Sequence, residues 1–442
     1  MKKPLLEKYK SIYSNSSSPI KISLILTHFI MGLGQIVQKQ FVRGIMFLLI
    51  EAAYLLYMIS SGFESLMGFF TLNVHNVQSN FSLLYGILAI FITAFFVFCY
   101  LLNLKLTYSN ASKIIKGEQL KGFKDDLKSL ANEKFYATAL AIPIVGALLF
   151  TVLPLVFMIC IAFTDYGTSG TIPIMNVKHL SWTGFESFKS LFSNSQNFKA
   201  LKNVFGWTII WAFLATFTCY FGGFLLALLI NKKAVKIKPL FRSVFVVTMA
   251  IPQFLSLRVM NTMFSKYGPI NTMLLDWGLI TERIAFWDDP LIAKALIILI
   301  NMWVGIPYFM LLISGLLINI PKDYYEAAEI DGASKTHIFF KITLPHIVFM
   351  TTPLLITNFI SNINNFNVIW FLTNGGPTGL GTGGSAGGTD ILITWLYKLT
   401  MQHNPEYNVG AAIGIIMFII SASLSLIIYR RSAAYNREEE YQ

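Results

Sequence analysis

Charged side chains are scarce in this sequence of 442 residues: they make up 13% of it, against 55% hydrophobic residues. An average soluble domain carries about twice that share of charge, so a soluble globular protein is excluded. The three cysteines, Cys99, Cys160 and Cys219, lie inside apolar runs and form no C-x-x-C pair. Neither a disulfide framework nor a thiolate metal centre is therefore expected, and the six histidines show no ligand spacing that would suggest a metal.

Two sequence signals are also missing. No G-x-x-x-x-G-K-[ST] stretch occurs, so this chain is not expected to hydrolyse ATP through a phosphate loop. The basic, Ser-rich amino terminus is not followed by a short apolar core with a small-residue cleavage site. The first apolar segment is therefore expected to stay in place as a membrane anchor.

Long uncharged runs dominate the chain, and each is long enough to cross a bilayer, which takes roughly 20 residues. They must be helical, because lipid cannot satisfy the backbone of a lone strand. The predicted fold is an all-α integral membrane protein with eight spans. These are residues 43–60, 82–103, 137–163, 204–230, 240–263, 292–318, 346–371 and 408–429. A weaker apolar stretch, 22–37, is predicted to be interfacial or re-entrant.

The net charge of +12 is distributed unevenly between alternate loops. One side of the predicted membrane topology holds 25 of the 34 lysines and arginines, including those of 104–136 and 319–345. Basic residues favour the cytoplasmic side, so both termini are predicted to be cytoplasmic. We therefore expect a multi-pass membrane protein whose basic loops meet anionic lipid, and no nucleic-acid partner.

The loop 321–345, between the sixth and seventh predicted spans, contains one long motif. Glu326-Ala327-Ala328 is followed by Gly332 and then by Ile342, Leu344 and Pro345. The pattern E-A-A-x3-G-x9-I-x-L-P resembles the cytoplasmic signature loop of ATP-binding-cassette importer permeases. The E-A-A part alone is weak evidence, since Glu51-Ala52-Ala53 has the same three residues without the glycine and the I-x-L-P that complete the motif. The resemblance implies that the loop couples the chain to a separate ATPase.

Local sequence within this loop predicts a helix–turn–helix. Pro321 ends the sixth span, and a short helix is expected to begin at Lys322 or Asp323. Asp331-Gly332 is a turn signal, because glycine readily adopts positive φ after a helix end. A second short helix is predicted over about 333–341. An ordinary amphipathic connection would also fit the local pattern; the complete motif favours the coupling role.

Further motifs resemble the larger permease subunit of bacterial maltose/maltodextrin importers. They are Asn301-Met-Trp-Val-Gly-Ile-Pro-Tyr308, Asn358-Phe-Ile-Ser-Asn-Ile-Asn-Asn-Phe366 and Leu372-Thr-Asn-Gly-Gly-Pro377. The resemblance covers 137–430 well and the first two spans loosely. It implies a type I importer core of six helices over 137–430, preceded by a two-span region over 1–136 and followed by a cytoplasmic tail, 431–442.

The same resemblance implies the partners. They are a second related permease, two ATPase subunits that hold ATP and magnesium, and an extracellular sugar-binding protein or lipoprotein. This chain would bind no cofactor and perform no covalent chemistry. Its function would be to form half of the translocation path for maltodextrin-type oligosaccharides by alternating access.

Amide side chains recur at helical spacing in two spans. Asn301, Gly305 and Tyr308 share one helix face, as do Asn358, Asn362 and Asn365. Amides both donate to and accept from sugar hydroxyls, yet they equally serve to hold membrane helices together. The family resemblance implies substrate contact. The positions concerned are Asn301, Val304, Gly305, Tyr308, Asn358, Asn362 and Asn365, with Met249 and Gln253 in the fifth span as departures from the family pattern.

Other functions remain open at this level. A permease for a different sugar or polyol would keep the coupling loop. An ion-coupled secondary transporter would need an intramembrane acid, for which Glu51 is the main candidate. A membrane enzyme would need a cluster of carboxylates, histidines or metal ligands, and the sequence shows none. Arg258, inside the fifth predicted span, has no partner that the sequence can name.

Overall fold

The computed structural model describes residues 12–14, 16–72, 79–120, 122–167, 180–232, 235–378, 385–401 and 405–431. Regular structure in this part of the chain is helical, apart from an isolated bridge between Thr164 and Trp182. The predicted all-α class is therefore confirmed for these residues. The chain forms two compact units, Met1–Thr183 and Gly184–Gln442.

The first unit contains eight α-helices along its described residues. These are α1 (Ser18–Phe29), α2 (Leu33–Val37), α3 (Phe41–Tyr57), α4 (Phe63–Thr71), α5 (Ser79–Ile115), α6 (Phe123–Ala131), α7 (Phe135–Ala147) and α8 (Leu153–Ile161). Two π-helical turns, Met58–Gly62 and Leu148–Val152, join α3 to α4 and α7 to α8. Three continuous stretches are long and apolar enough to span a membrane, as predicted, although the first is considerably longer than residues 43–60.

The stretch 22–37 does not form a span. The 12-residue helix α1 stops at Phe29, and the chain turns through Gly32, whose φ is +84°, before the short helix α2. A Cβ at Gly32 would lie 2.0 Å from the carbonyl oxygen of Gly44, so this close approach requires glycine. Whether this segment is interfacial or re-entrant stays a prediction.

Buried polar side chains hold this broken segment against α5. Asn103 Oδ1 accepts from Gln35 Nε2 at 3.0 Å, and Asn103 Nδ2 donates to Thr27 Oγ1 at 2.9 Å. All three side chains are fully buried. Because lipid offers no hydrogen-bond partner, these polar groups are satisfied within the protein and fix the position of α1 and α2.

The second unit contains twelve α-helices along its described residues. These are α9 (Glu186–Ser193), α10 (Ser195–Asn231), α11 (Lys238–Ala250), α12 (Gln253–Met263), α13 (Pro269–Asp276), α14 (Pro290–Asn319), α15 (Lys322–Ile330), α16 (Lys335–Ile338), α17 (Leu344–Ile363), α18 (Phe366–Thr373), α19 (Leu392–Met401) and α20 (Tyr407–Arg431). Four membrane-length helices occur here, and α11 with α12 forms a bent pair. With that pair as one span, the described residues contain the eight predicted spans.

Two of the predicted spans are not continuous helices. The fifth, 240–263, breaks at Ile251-Pro252, and α11 and α12 meet at 89°. Proline disfavours helical φ and ψ in the residue before it, which accounts for a break at this position. The seventh, 346–371, was also predicted wrongly as one helix. Its main helix ends at Ile363, and α18 restarts at Phe366 after a turn at Asn364.

Helices α10 and α14 form the centre of the second unit, and two glycines on α10 allow the helices to pack closely. A Cβ at Gly223 would lie 2.5 Å from Phe309 Cβ, and one at Gly222 would lie 2.5 Å from Ile306 Cδ1. Trp211 is fully buried in one apolar cluster along α10, and Tyr220 lies in a second. This close helix contact fixes the frame against which the neighbouring spans pack.

The loop 373–407 follows α18 and contains the Gly-rich stretch NGGPTGLGTGGSAGGTD, whose sequence alone allows either a floppy linker or a structured mouth of the pathway. Residues 379–384 and 402–404 lie outside the described residues. In the described part, the buried carboxylate of Asp390 organises the chain. It accepts from Lys398 Nζ at 2.6 Å, from the Gly387 N–H at 2.7 Å and from Thr394 Oγ1 at 2.8 Å. These residues are therefore a packed structure rather than a floppy linker.

Candidate functional site

The three asparagines predicted on the seventh span form one directed chain of hydrogen bonds. Asn365 Nδ2 donates to Asn362 Oδ1 at 3.2 Å, and Asn362 Nδ2 donates to Asn358 Oδ1 at 3.1 Å. The helix break supports this arrangement, because Asn365 Oδ1 also caps α18 by accepting from the Val368 N–H. The structure therefore brings Asn358, Asn362 and Asn365 together as the spacing predicted.

Helix α10 holds the centre of this amide chain in place. Asn362 is buried, and its Nδ2 also donates to Thr216 Oγ1 at 3.0 Å. Trp211 Nε1 donates to the carbonyl of Asn362 at 3.0 Å. Both Nδ2 hydrogens of Asn362 and its Oδ1 are thus engaged within the chain, and its hydrogen bond orients the amide of Asn358.

Asn358 lies at one end of the amide chain. Its side chain is half-buried, and Oδ1 is engaged by Asn362. No described residue accepts a hydrogen bond from its Nδ2. An oriented amide with an available donor and a second acceptor lone pair is suited to a hydroxyl-bearing solute.

Of the predicted positions on α14, Asn301 and Gly305 face helix α10, whereas Tyr308 is exposed. Asn301 is buried, and its Nδ2 donates to Cys219 Sγ at 3.4 Å. A Cβ at Gly305 would lie 2.6 Å from the same sulfur. Both residues therefore pack against α10. Tyr308 is 38% exposed, which leaves its ring accessible on the helix surface.

Val304 lies instead beside the break of the fifth span. There a cavity of 330 Å³ is lined by Met249, Gln253, Val304 and Trp303, together with other residues on both sides of the break. The structure thus joins three of the predicted positions, two from the fifth span and one from the sixth. The sequence analysis did not select Trp303 as a site residue, although it lies within the motif from Asn301 to Tyr308.

The break itself supplies backbone groups that a continuous helix would use internally. The last carbonyls of α11 and the first N–H groups of α12 have no intrahelical partner. Interrupted helices near the middle of a membrane are common at transport sites for this reason. Pro252 was a sequence signal for the break. It was not used in the prediction, because the residues around it are apolar and were taken as one continuous span.

Charge is sparse around these residues. The lining of the cavity contains no charged side chain. Arg258 is exposed on α12, and its guanidinium carbon lies 5.7 Å from the centre of the Phe371 ring. The guanidinium of Arg258 thus lies over the face of the Phe371 ring, and a cation interacts favourably with an aromatic face. Within the described residues, no three His, Cys, Asp or Glu side chains converge as a metal site.

The signature loop folds as a helix, a turn and a second helix. Helix α15 begins at Lys322 as predicted and ends at Ile330, with Asp331 as its C-cap, and Gly332 has φ +75°. The second helix predicted over about 333–341 begins at Lys335. It does not end before the seventh span, because Lys335–Ile363 runs as one membrane-length helix through the π-helical turn Phe339–Thr343.

The loop presents an open concave surface. A depression of 460 Å³ lies between α15 and the start of α17. Its lining includes five of the predicted coupling positions, namely Ala327, Ala328, Asp331, Ile342 and Pro345. The hydroxyls of Tyr325 and Thr343 are 3.2 Å apart and tie α15 to the seventh span. Glu326 and Gly332 are exposed, and Leu344 is half-buried.

Helix α15 buries none of its residues, although it carries apolar side chains. Ile330 is 86% exposed and Tyr324 is 55% exposed. An exposed helix tied to a membrane span is suited to contact with another protein. The loop and the spans that it joins define the permease subunit of an ATP-binding-cassette importer.

Comparison with known proteins gives the family. Residues 219–435 match the model described as "Binding-protein-dependent transport system inner membrane component". The maltodextrin permease MdxF of Bacillus subtilis is 32% identical over 423 residues, which is 94% of this chain and 96% of that protein. The galactooligosaccharides permease GanP of the same organism is 32% identical, covering 95% and 99%. The chain therefore belongs to this family of importer permeases and is a multi-pass protein of the plasma membrane.

Two further comparisons are partial. The maltose/maltodextrin permease MalF of Escherichia coli K12 is 36% identical over 248 residues, 55% of this chain and 48% of that protein. A solved bacterial ABC transporter involved in import of the acidic polysaccharide alginate aligns with a TM-score of 0.54 at 23% identity. That alignment covers 69% of this chain and 97% of the other, and it supports the fold alone.

Proposed function

We propose that this chain forms one half of a translocation path for neutral oligosaccharides of the maltodextrin type. The other half is a second, related permease. The observation that carries the proposal is the amide chain from Asn365 to Asn358, which ends at an available amide donor. MdxF and MalF are maltodextrin and maltose/maltodextrin permeases by name, and the similarity to them supports the same class of solute.

Uncharged polar groups favour a neutral solute over an anionic one. An anionic sugar would call for arginine or lysine at the contact, since charged hydrogen bonds recognise carboxylates and phosphates. The amide chain and the cavity at the broken span contain no such side chain. Sugar hydroxyls, in contrast, both donate to and accept from amides and backbone groups. Trp303 and Tyr308, both partly exposed, add aromatic surfaces for a pyranose face.

The energy for transport comes from two separate ATPase subunits in this proposal. They dock beneath helix α15 and bind ATP and magnesium, so the permease chain itself hydrolyses nothing. The exposed apolar side chains of α15 and the depression beside it support such a contact. This arrangement places the signature loop and both termini in the cytoplasm, as the distribution of lysine and arginine predicts.

An extracellular sugar-binding protein delivers the solute from the opposite side. A solved relative in fold was crystallised with an alginate pentasaccharide-bound periplasmic protein. In the present chain the segment after α18, built around Asp390, belongs to the loop predicted on that side. Closure of the ATPases would then move α15 with the seventh span and switch access of the path from outside to inside.

The test is ATP-driven uptake of labelled maltotriose by the complete complex in proteoliposomes. Asn358→Leu removes the available amide and should reduce uptake by tenfold or more, with normal assembly. Asn364→Leu is the matched control, because Asn364 is exposed and its Nδ2 bonds only to the local Ile360 carbonyl. Equal uptake by the two variants would contradict the proposed sugar contact. Uptake without ATPase subunits would contradict the importer mechanism.

A second solute class is supported by one comparison. GanP, a galactooligosaccharides permease, is as similar to this chain as MdxF is. Unlabelled maltotriose and a galactotriose should therefore be compared as competitors of labelled maltotriose. We expect maltotriose to compete more strongly. The reverse order would assign the galactose-containing class to the same amide site.

A further inference from the structure

Helix α6, Phe123–Ala131, carries an apolar stripe although it buries none of its residues within the part of the chain that the structure describes. The stripe consists of Phe123, Leu127 and Leu130, which lie within about 60° of one another around the helix, since 3.6 residues make one turn. Leu127 is 51% exposed and Leu130 is 39% exposed, and Phe123 is half-buried. A surface helix normally turns such a stripe towards an apolar surrounding. The stripe therefore calls for a cover that these residues do not supply.

Helix α6 is too short to be stable without such a cover. It has nine residues, and isolated helices of fewer than about 12 residues are marginal in water. Two local hydrogen bonds support its ends: the Gly122 N–H donates to Asp125 Oδ2 at 2.9 Å, and Thr138 Oγ1 donates to the Leu130 carbonyl at 2.9 Å. These bonds fix where the helix begins and ends, and they leave its apolar stripe exposed. Most of the stability of α6 must therefore come from the surface that covers the stripe.

The ends of two membrane spans place α6 at the level of the membrane surface. Asp126 forms an ion pair with Arg43, the third residue of α3. At its other end α6 is joined to the start of α7 by residues 132–134 alone. Both α3 and α7 begin stretches that are long and apolar enough to span a membrane. Phe135 and Tyr136, at the start of α7, are 60% and 67% exposed, and aromatic residues are enriched at membrane–water interfaces.

The charges beside the stripe complement an anionic lipid surface. Lys124 and Lys128 each follow a residue of the stripe and lie along one of its edges, and both are exposed. Neither lysine forms an ion pair with a described residue. Asp126 lies along the other edge, where Arg43 neutralises it, and Asp125 lies on the face opposite the stripe. Lysine stems can rest on apolar surface while their ammonium groups reach lipid phosphates, so the positive edge favours anionic head groups.

We propose that α6 is an in-plane membrane anchor whose partner is an anionic lipid surface. Its apolar stripe lies in the boundary between head groups and acyl chains, as it does in other amphipathic helices that carry lysine on the polar side. Lys124 and Lys128 contact lipid phosphates from the edge of the stripe. The anchor holds the beginning of α7 at a fixed depth, so the first helix of the predicted importer core starts from a fixed level in the membrane. This role lies outside the sugar path.

Depth measurements on the complete complex in lipid nanodiscs test the in-plane position. A nitroxide is attached to Leu127→Cys, or to the matched control Ser129→Cys, in a chain whose three native cysteines are replaced by alanine. Ser129 lies about 200° from Leu127 around the helix, on the opposite face. We expect the ratio of relaxation by oxygen, which concentrates in lipid, to relaxation by a water-soluble nickel chelate to be several-fold higher at 127 than at 129.

Two results of the depth measurement would overturn the proposal. An equal or lower ratio at 127 would mean that the stripe faces water. Exclusion of both reagents from 127 would mean that a protein, such as an ATPase subunit or a second copy of this chain, covers the stripe instead of lipid. Sugar uptake is not the readout, so failure of the anchor is distinguishable from failure of the proposed transport function.

The preference for anionic lipid is tested by amide hydrogen exchange over residues 123–131, which measures how firmly the helix is held. Adding phosphatidylglycerol to phosphatidylcholine nanodiscs should slow this exchange by about fivefold for each lysine at the surface. A chain with both Lys124→Gln and Lys128→Gln should lose the slowing, whereas Lys116→Gln, at an exposed lysine outside α6, should keep it. No slowing in the unsubstituted chain, or equal slowing after the double substitution, would overturn the contact with anionic lipid.

Discussion

The Glu51 carboxylate accepts a hydrogen bond from the backbone N–H of Met31, with 2.7 Å between the nitrogen and Oε2. Met31 is fully buried at the turn between α1 and α2. The acid predicted as a possible ion-coupling group therefore stabilises this turn. This contact accounts for a carboxylate inside a membrane span without invoking ion transport.

Substitutions of Glu51 distinguish a structural role, the hydrogen bond to Met31, from a role in ion coupling. Glu51→Gln keeps an acceptor oxygen, so we expect near-normal stability and near-normal ATP-driven uptake. Glu51→Leu leaves the Met31 N–H unsatisfied and should lower stability by about 1–3 kcal/mol. Thermal unfolding in detergent and uptake in proteoliposomes measure these effects. Loss of uptake in a stable Glu51→Gln variant would restore the ion-coupling hypothesis.

The turn of the signature loop requires a left-handed backbone at Gly332. A Cβ there meets no atom within 4 Å, so the cost of Gly332→Val arises from its φ of +75° rather than from a clash. Left-handed backbone costs a non-glycine residue roughly 1–2 kcal/mol, and relief of that strain would change the direction in which α15 leaves the turn. We expect uptake and sugar-stimulated ATP hydrolysis to fall at least fivefold.

Gly117 offers a control with matched geometry. Its φ is +74°, and a Cβ there also meets nothing within 4 Å. Gly117→Val therefore introduces the same backbone strain outside the coupling loop. Normal uptake in Gly117→Val beside impaired uptake in Gly332→Val would support the coupling role, whereas equal impairment would mean that strain alone is responsible.

Gly305 can be tested by pairing it with Cys219. In Gly305→Ala the new methyl group would lie 2.6 Å from Cys219 Sγ, and such overpacking costs about 1–3 kcal/mol. Cys219→Ala removes the sulfur, so the double variant should regain most of the lost thermal stability and uptake. Persistent loss of uptake in a stable double variant would instead show that Gly305 faces the solute.

The Asp390–Lys398 pair is expected to be a strong stabilising contact. Burial raises the pKa of the Asp390 carboxyl, and the Lys398 ammonium acts in the opposite direction. Asp390→Asn leaves Lys398 without its counterion, and loss of one partner of a buried pair costs about 3 kcal/mol. Asp126→Asn, in the more exposed pair with Arg43, should cost under about 1 kcal/mol. Similar melting temperatures for the two variants would contradict this ranking.

Hydropathy was sufficient to find the membrane helices, because length and lack of charge are properties of the sequence alone. It could not show that the chain turns by 89° at Pro252, since an apolar run is equally compatible with a straight or a bent helix. The signature motif predicted the start of α15 at Lys322 and the turn at Gly332 correctly. It did not show that residues after Lys335 join the seventh span directly.

Helical spacing likewise gave only part of the site. It placed Asn358, Asn362 and Asn365 on one face, and the structure shows that they bond to one another. It could not name their neighbours, because Thr216 lies far away in the sequence. For the same reason it did not reveal that Asn301 contacts Cys219. Whether these positions contact sugar stays a prediction that the Asn358 variant tests.

The unbroken helix from Lys335 to Ile363 has a mechanical consequence. At 1.5 Å per residue, it separates Lys335 from Asn358 by about 35 Å, and the π-helical turn Phe339–Thr343 and Pro353 lie between them. Helices bend at such points, so a rotation imposed near Lys335 is divided between bending there and angular displacement of the asparagine amides. The stiffness of the helix at these two points therefore sets how much of the rotation reaches Asn358.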